Sequence, residues 1–374
     1  MAMADIRNWN EDEYRASIVA EGASTTSTVF AVDFAPTRSL APDRVTTASS
    51  DGSVAIYPID MPSQSLLSHG LEEKEFCRCQ WNAKPLLRLS PHDGPAYNLL
   101  TVGKGENALL LSCGDDGCIQ GWLWQEIDGA ISKGRDHLRA NLELRNPQQR
   151  GPQSALLPVP ETNALASDPE GKHIFSAAGD GCAYTWDLET GKVAMVFRGH
   201  CDYLHCIVSR PTTNQIITGS EDGTCKVWDC RSGFCVATLD SWNATKSAKM
   251  AVQKRPWVSC MALDPSENWL VCGNGGNCGT LWNLPVLEAA TRIVTLAAPQ
   301  AVAFTKDQIV VAGAWPRVSR FSFGGTLLSQ VTCAPYSTFS ISVHPSGITA
   351  VGGYGGIVDI LSEFGSHLTT FSCK

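Results

Sequence analysis

Two sets of side chains in this sequence combine a histidine, a hydroxyl and a carboxylate, the groups with which a serine hydrolase activates its nucleophile. They are His92, Ser112, Asp116 and Trp122, and His200, Thr218, Asp222 and Trp228. Because the whole arrangement occurs twice, we interpret each set as a buried hydrogen-bond chain. In each hydrogen-bonded set the indole N–H donates to the hydroxyl, the hydroxyl contacts the histidine, and the histidine contacts the aspartate. The sequence therefore predicts structural networks here and no catalytic residue.

The cysteine and glycine clusters do not predict a metal or cofactor site. The fifteen cysteines include no Cys-x-x-Cys pair, and most stand in strand-like runs, as Cys113 and Cys260 do. A thiol in such a run behaves as a small apolar side chain, so we expect reduced thiols and no metal. The glycine-rich stretches 273–279 and 352–356 lack the spacing of a phosphate loop and predict turns. We expect no bound cofactor.

The turn before each of these tryptophans belongs to a pattern that occurs seven times. A tight-turn pair is followed six positions later by an aromatic or bulky apolar residue. The seven anchors are Tyr57, Trp122, Trp186, Trp228, Trp282, Phe321 and Leu361. A basic unit of about 40 residues with four short strand-like runs is typical of a propeller blade. The sequence predicts an all-β fold, a seven-bladed β-propeller that resembles the WD40 type.

The propeller is predicted to occupy residues 27–374 and to follow an N-terminal extension at residues 1–26. Within the extension, Asn10 can cap a helix that spans residues 10–20. This helix could act as a strut across the seam of the ring or as a handle for a partner. Three insertions interrupt the period, and we expect them to be surface loops. They span residues 61–84, 128–160 and 240–256.

Composition narrows the classes of partner. The net charge of −8 argues against a strongly basic nucleic-acid surface and leaves room for one local basic patch. No run approaches 18 consecutive apolar residues, and the first fifteen residues are polar and acidic. We therefore expect an intracellular protein with no membrane contact.

One local basic patch stands in the third insertion. Lys246, Lys249, Lys254 and Arg255 occur between two tryptophans, with no acidic residue between Asp240 and Asp264. Basic groups beside aromatic rings can hold RNA by phosphate contact and base stacking. The alternative is a solvated loop, which is the more common role of a charged run.

The fourth blade ends in Trp228-Asp229-Cys230-Arg231, preceded by two aliphatic residues, three small residues and an acid. This pattern resembles the box of WD40 substrate receptors of cullin-4 ubiquitin ligases. The resemblance implies that Asp229 and Arg231 contact the β-propeller adaptor of such a ligase. The alternative is that the ending only braces a turn. Blade three, which ends in Trp186-Asp187-Leu188-Glu189, reverses the final charge and is not expected to substitute.

Several longer segments resemble the plant form of the THO complex subunit 6 family. They are 8–18, 92–99, 108–117, 146–152, 176–192, 199–210 and 352–371. Some of them lie in the extension and the insertions, which the propeller fold does not dictate. The resemblance implies a non-catalytic subunit of the nuclear THO/transcription-export (TREX) complex, which packages nascent mRNA and couples transcription to export. It also implies docking to the coiled-coil THO subunits 5 and 7.

The sequence leaves other functions open beside this one. The cullin-4 box would add a role as substrate receptor in ubiquitin ligation. A generic WD40 scaffold and a direct RNA-binding propeller are the alternatives from the class of binding proteins. An enzyme that uses the histidine sets is the alternative from another class, and their recurrence at the blade period disfavours it.

Overall fold

The computed structural model describes residues 27–37, 41–59, 78–80, 83–150, 155–241 and 255–373. Several sequence predictions fall outside these residues. They are the helix at 10–20, the side chains of Lys246, Lys249 and Lys254, and most of the insertions at 61–84 and 240–256.

Short β-strands make up most of the described chain. In chain order, the first fourteen are β1 (Val29–Phe34), β2 (Arg44–Ser49), β3 (Val54–Pro58), β4 (Arg78–Gln80), β5 (Leu87–Leu89), β6 (Ala96–Val102), β7 (Leu109–Gly114), β8 (Cys118–Leu123), β9 (Leu142–Arg145), β10 (Thr162–Ser167), β11 (His173–Ala178), β12 (Cys182–Asp187), β13 (Lys192–Arg198) and β14 (Leu204–Arg210). One α-helix, α1 (Trp124–Ser132), and two 3-10 turns, Gly105–Asn107 and Pro211–Thr213, accompany them. The described helices include none that is both long and apolar enough to cross a bilayer.

The second half of the chain continues the same pattern. Its strands are β15 (Gln215–Ser220), β16 (Cys225–Asp229), β17 (Cys235–Leu239), β18 (Val258–Leu263), β19 (Trp269–Asn274), β20 (Cys278–Asn283), β21 (Glu288–Val294), β22 (Pro299–Thr305), β23 (Gln308–Gly313), β24 (Trp315–Phe321), β25 (Leu327–Thr332), β26 (Thr338–Val343), β27 (Thr349–Gly353), β28 (Ile357–Leu361) and β29 (His367–Ser372).

Seven antiparallel sheets arrange these strands into blades, and we name the strands of each blade a to d from the first to the last. The sheets are β1-β2-β3-β5, β6-β7-β8-β9, β10-β11-β12-β13, β14-β15-β16-β17, β18-β19-β20-β21, β22-β23-β24-β25 and β26-β27-β28-β29. Each a strand contacts the a strands of both neighbouring blades, and β26 contacts β1. The a strands therefore form a closed inner ring, and the predicted seven-bladed WD40 propeller is confirmed.

The burial of each strand follows its position in the blade. Middle strands such as β7 and β11 are buried at almost every residue, since both of their faces pack against neighbouring blades. The outer strand β21 alternates between exposed and partly buried residues over most of its length. The apolar runs found in the sequence are thus the b and c strands, which fill the space between blades.

The two faces of the ring carry different turns. One face, called the b–c face below, holds the turns between b and c strands and the loops that enter each a strand. The opposite c–d face holds the turns between c and d strands. On the b–c face, Gly223 has a φ of 81°, and the Asp222 carboxylate accepts a hydrogen bond of 2.9 Å from the Thr224 N–H. The Asp-Gly pairs of the repeat are therefore tight turns locked by their own aspartate.

The expectation of a surface loop over residues 128–160 was wrong in part. Helix α1 ends inside this range, and β9 supplies the outer strand of blade two. The helix buries Trp124, Ile127 and Ala130 in the apolar cluster between blades one and two. Arg44 of blade one stacks over the Trp124 ring at 5.7 Å. The apolar face of the helix is therefore packed against blade one, and only its other face is left to polar residues.

The insertion at 61–84 also contributes to the propeller. Strand β4 pairs in parallel with β29 and adds a fifth strand to blade seven. A segment of the first blade thus joins the outer edge of the last blade. This pairing adds a link across the seam where the ring closes.

Candidate functional site

The blade-four set forms a continuous hydrogen-bond chain. The Trp228 indole N–H donates to the Thr218 hydroxyl over 2.8 Å. The same hydroxyl lies 2.8 Å from His200 Nε2, and His200 Nδ1 lies 2.7 Å from the Asp222 carboxylate. Strands b and c, the turn between them and the loop before strand a position the four groups. The side chain of His200 has no exposed surface.

The blade-two set has the same histidine contacts and a different end. His92 Nε2 lies 2.7 Å from the Ser112 hydroxyl, and its Nδ1 lies 3.1 Å from Asp116. The predicted donation from the Trp122 indole to Ser112 is wrong, because Trp122 Nε1 has no acceptor among the described residues. Trp122 instead packs in the apolar cluster that includes Trp124 of helix α1.

This geometry is suited to structural support rather than to hydrolysis. The Thr218 residue is fully buried, and its oxygen is already occupied by the Trp228 indole. A hydroxyl in that position cannot approach a substrate carbonyl. Burial by itself would raise the pKa of Asp222, but the hydrogen bonds from His200 and Thr224 outweigh it and hold the pKa below its ordinary value. The aspartate is thus a charged acceptor that orients His200.

Blades one and three, which lack the histidine, hold the turn aspartate with other donors. Arg88 forms an ion pair with Asp51 in blade one. In blade three, the Tyr184 hydroxyl donates to Asp180 over 2.5 Å. The Trp186 indole donates to Ser176 over 2.9 Å, as Trp228 does to its own hydroxyl. The turn carboxylate is therefore held in each of these blades, and only its donor changes.

Blade seven contains a buried network that the sequence reasoning missed. Asp359 stands in the middle of strand c and has no exposed surface. Its carboxylate accepts from the Ala334 N–H at 3.0 Å and the Thr370 hydroxyl at 2.8 Å, and it lies 3.0 Å from His367 Nδ1. The available signal was one acid inside the apolar run IVDIL. The network holds strands c and d and the loop before strand a together.

A second missed carboxylate lies in the inner ring where the first and last blades meet. Asp33 of β1 accepts from the Thr101 hydroxyl of blade two at 2.9 Å and from the Ser342 hydroxyl of blade seven at 3.1 Å. Burial raises the pKa of Asp33 against the opposing effect of these hydrogen bonds. One side chain thus links the a strands of three blades beside the seam.

A pH-dependent contribution to stability is expected from His367. Its hydrogen bond with Asp359 raises the pKa of His367 above the ordinary value. The contribution of the pair is therefore complete below the unfolded pKa of about 6.5 and is lost as the pH rises through the folded pKa. We expect His367→Gln to lower the urea midpoint more at about pH 5.5 than at about pH 8.5. A His137→Gln variant, which changes an exposed histidine, is the control. An equal loss at both pH values would contradict the assignment.

The Asp229–Arg231 ending lies on the c–d face, opposite the b–c turns. The Arg231 side chain is 75% exposed, whereas that of Asp229 is 19% exposed. Arg231 Nε donates to the Asp229 carboxylate over 3.1 Å, and the Arg231 backbone N–H donates to it over 3.0 Å. These hydrogen bonds keep the pKa of Asp229 below its ordinary value. Asp229 braces the turn and presents the arginine at the rim.

The basic patch is represented in the described residues by Arg255. Its guanidinium forms an ion pair of 3.2 Å with Asp240, across the two ends of the third insertion. The negative charge of Asp240 offsets the positive charge that Arg255 would otherwise present to a phosphate. Lys246, Lys249 and Lys254 lie outside the described residues.

Possible metal ligands do not cluster in the described part of the chain. No group of three or more histidine, cysteine, aspartate or glutamate side chains there could hold a metal ion. Outside β4, the described residues include thirteen cysteines, all of them free thiols, and ten of these are buried. The sulfur atoms of Cys225 and Cys272 lie 3.3 Å apart, between blades four and five. The ten buried thiols pack as small apolar side chains within and between the blades.

Comparison with known proteins agrees with this architecture. The family described as WD domain, G-beta repeat matches residues 191–229, which contain the blade-four network. The chain is 48% identical to THO complex subunit 6 of Arabidopsis thaliana over 98% of both chains. It is 31% identical to THO complex subunit 6 of Homo sapiens over 86% of both chains, and 25% identical to that of Drosophila melanogaster over 68% of this chain and 69% of that protein. The chain therefore belongs to the THO complex subunit 6 family.

Proposed function

We propose that this chain is a non-catalytic WD40 subunit of a THO complex and that it works in the nucleus as a scaffold in mRNA packaging and export. The observation that carries the proposal is the 48% identity to a THO complex subunit over 98% of both chains. Such a match extends through the insertions as well as the blades. Propeller folds alone are shared by proteins of many functions, so the proposal does not rest on the fold.

The absence of catalysis is part of this proposal. Its support is the blade-four network, where the hydroxyl that contacts the histidine, Thr218, is buried and already accepts a hydrogen bond from Trp228. The blade-two hydroxyl, Ser112, is also fully buried. Substrate would have to displace packed blades to reach either one.

The proposed partners are the coiled-coil THO subunits 5 and 7, with RNA reached through other members of the complex. The net charge of −8 and the Arg255–Asp240 ion pair disfavour direct phosphate binding by this chain. Ultraviolet cross-linking in nuclei should then attach RNA to other THO subunits and leave this chain unlabelled. RNA cross-linked within residues 240–256 would contradict an indirect role.

The export role can be tested by depletion and replacement. Cells that lose the endogenous protein should accumulate polyadenylated RNA in the nucleus, measured by in situ hybridisation, and a depletion-resistant copy of the full chain should reverse this. An unchanged ratio of nuclear to cytoplasmic polyadenylated RNA, with depletion verified by immunoblot, would overturn the export role.

A role as substrate receptor of a cullin-4 ligase is a second candidate, and the exposed Arg231 favours it. A guanidinium at a rim turn can form paired hydrogen bonds with the carboxylate or carbonyls of an adaptor. Asp229 holds this guanidinium in place before binding, which lowers the entropy lost on association. The b–c face stays available to another partner, because Arg231 lies on the c–d face.

Replacing Arg231 with alanine is expected to abolish recovery of the cullin-4 adaptor and to retain the THO subunits. Interface arginines can each contribute about 2 kcal/mol or more to binding, whereas an exposed arginine at a turn costs the fold about 0.5 kcal/mol or less. The measurement is a pull-down from nuclear extract with both proteins quantified. Glu189→Ala, at the matching turn of blade three, is the control and should leave recovery unchanged. Unchanged adaptor recovery with a folded Arg231→Ala variant would reduce the ending to a turn brace.

A further inference from the structure

The central channel has a ring of seven matching side chains at its b–c face. In every a strand the pairing with strand b skips the second residue, which is the position of a β-bulge. The skipped residues are Phe30, Tyr97, Asn163, His205, Ser259, Gln300 and Phe339. All seven are partly exposed, and all seven line one cavity of about 490 Å³. Bulges re-aim side chains, and here they supply each blade with one residue at the mouth of the channel.

One side of this mouth is aromatic. The Phe30 ring meets the Tyr97 ring edge to face with their centroids 5.6 Å apart, and it meets the Phe339 ring in the same way at 5.5 Å. Tyr203, which is 48% exposed, lines the same cavity from blade four, across the ring from these three residues. Aromatic rings that stay partly open at a concave site offer π faces to a ligand.

Three carboxylates lie in the cavity or bond to residues that line it. Glu161 lines the cavity, Asp115 accepts a hydrogen bond of 2.9 Å from the Tyr97 hydroxyl, and Glu221 contacts His205 at 2.8 Å. No lysine or arginine occurs among the described residues that line the cavity. A phosphate or a carboxylate ligand would therefore meet repulsion, whereas a cation would meet both carboxylates and π faces.

We propose that this mouth binds the side chain of an arginine within an extended, basic segment of a partner protein. The guanidinium is planar, stacks on aromatic rings and donates paired hydrogen bonds to a carboxylate, so it matches Phe30, Tyr97 and Glu161 together. Its aliphatic stem packs along the rings as the charged end reaches the acids. The site is independent of the Arg231 rim, which lies on the other face, and of the assignment to a THO complex.

The test uses the full chain and a pool of fluorescent ten-residue peptides with one central arginine, two lysines and otherwise random flanks. A second pool has citrulline, which keeps the shape and loses the charge, at the centre. Fluorescence anisotropy should show that the arginine pool binds the protein and that the citrulline pool binds with an affinity about tenfold or more lower. Absence of any preference for arginine over citrulline would overturn the proposal.

Variants of the chain locate the site. Glu161→Gln and Phe30→Leu should each lower the affinity for the arginine pool by about fivefold or more. The first variant removes the carboxylate and the second removes an aromatic ring. Glu189→Gln removes the same charge from the c–d face and should leave the affinity unchanged. Melting curves establish that the variants are folded. Equal binding of the arginine pool by all three variants would place the peptide elsewhere on the protein and overturn the proposal. Binding of single-stranded RNA that is abolished by Phe30→Leu would assign the mouth to nucleic acid and would also overturn it.

Discussion

Replacing Thr218 with valine is expected to lower the free energy of unfolding by about 2–5 kcal/mol, because it leaves two buried polar groups without a partner. One is the Trp228 indole N–H, which donates to this hydroxyl, and the other is His200 Nε2. Valine keeps the shape of threonine, so the loss reports the hydrogen bonds rather than a cavity.

Blade two supplies the matched comparison for this experiment. Ser112→Ala leaves only His92 without a partner, since Trp122 does not bond to this hydroxyl. We expect a loss of about 1–3 kcal/mol, and a smaller one than for Thr218→Val. Urea unfolding followed by circular dichroism measures both, with equal slopes in denaturant as the check that only stability changed. Losses of equal size would mean that the indole link adds nothing to blade four.

Removing the Asp359 carboxylate is expected to be the most damaging change in blade seven. Asp359→Ala should lower the free energy of unfolding by about 3–5 kcal/mol, because the Ala334 N–H, the Thr370 hydroxyl and His367 all lose their acceptor. Asp359→Asn keeps one acceptor oxygen and should lose less. Blade seven closes the ring, so the whole molecule should unfold at lower temperature.

Thermal unfolding of the full chain measures this effect. Asp307→Ala, which removes an exposed aspartate from the loop between strands a and b of blade six, is the control and should change stability by about 0.5 kcal/mol or less. A loss below about 1 kcal/mol for Asp359→Ala would contradict the role of the buried network.

The ring could be predicted from the sequence because its determinants are local. Each Asp-Gly turn and the aromatic residue six positions later sit within one pair of strands, so short segments identify the blades. The outer strand of blade two could not be placed in this way. Helix α1 separates β8 from β9, and it is packed through contacts of Trp124 with blade one. Strand β4 pairs with the far end of the chain, which no local pattern encodes.

The candidate sites, too, divide into those set by local sequence and those set by contacts between blades. The His200–Thr218–Asp222 contacts lie within one blade and follow from residue types at repeated spacing. The fate of the Trp122 indole depends on how helix α1 packs, and the partners of Asp33 come from two other blades. The sequence pattern of a single repeat therefore does not predict buried carboxylates that join different blades.

Purification of the tagged full chain from nuclei at its natural level tests the central claim, membership of a THO complex, most directly. After treatment with ribonuclease and size-exclusion chromatography, quantitative mass spectrometry should find THO subunits 5 and 7 in the same fractions and in fixed proportion to this chain. Recovery of the folded chain alone, or with partners that include no THO subunit, would contradict the account.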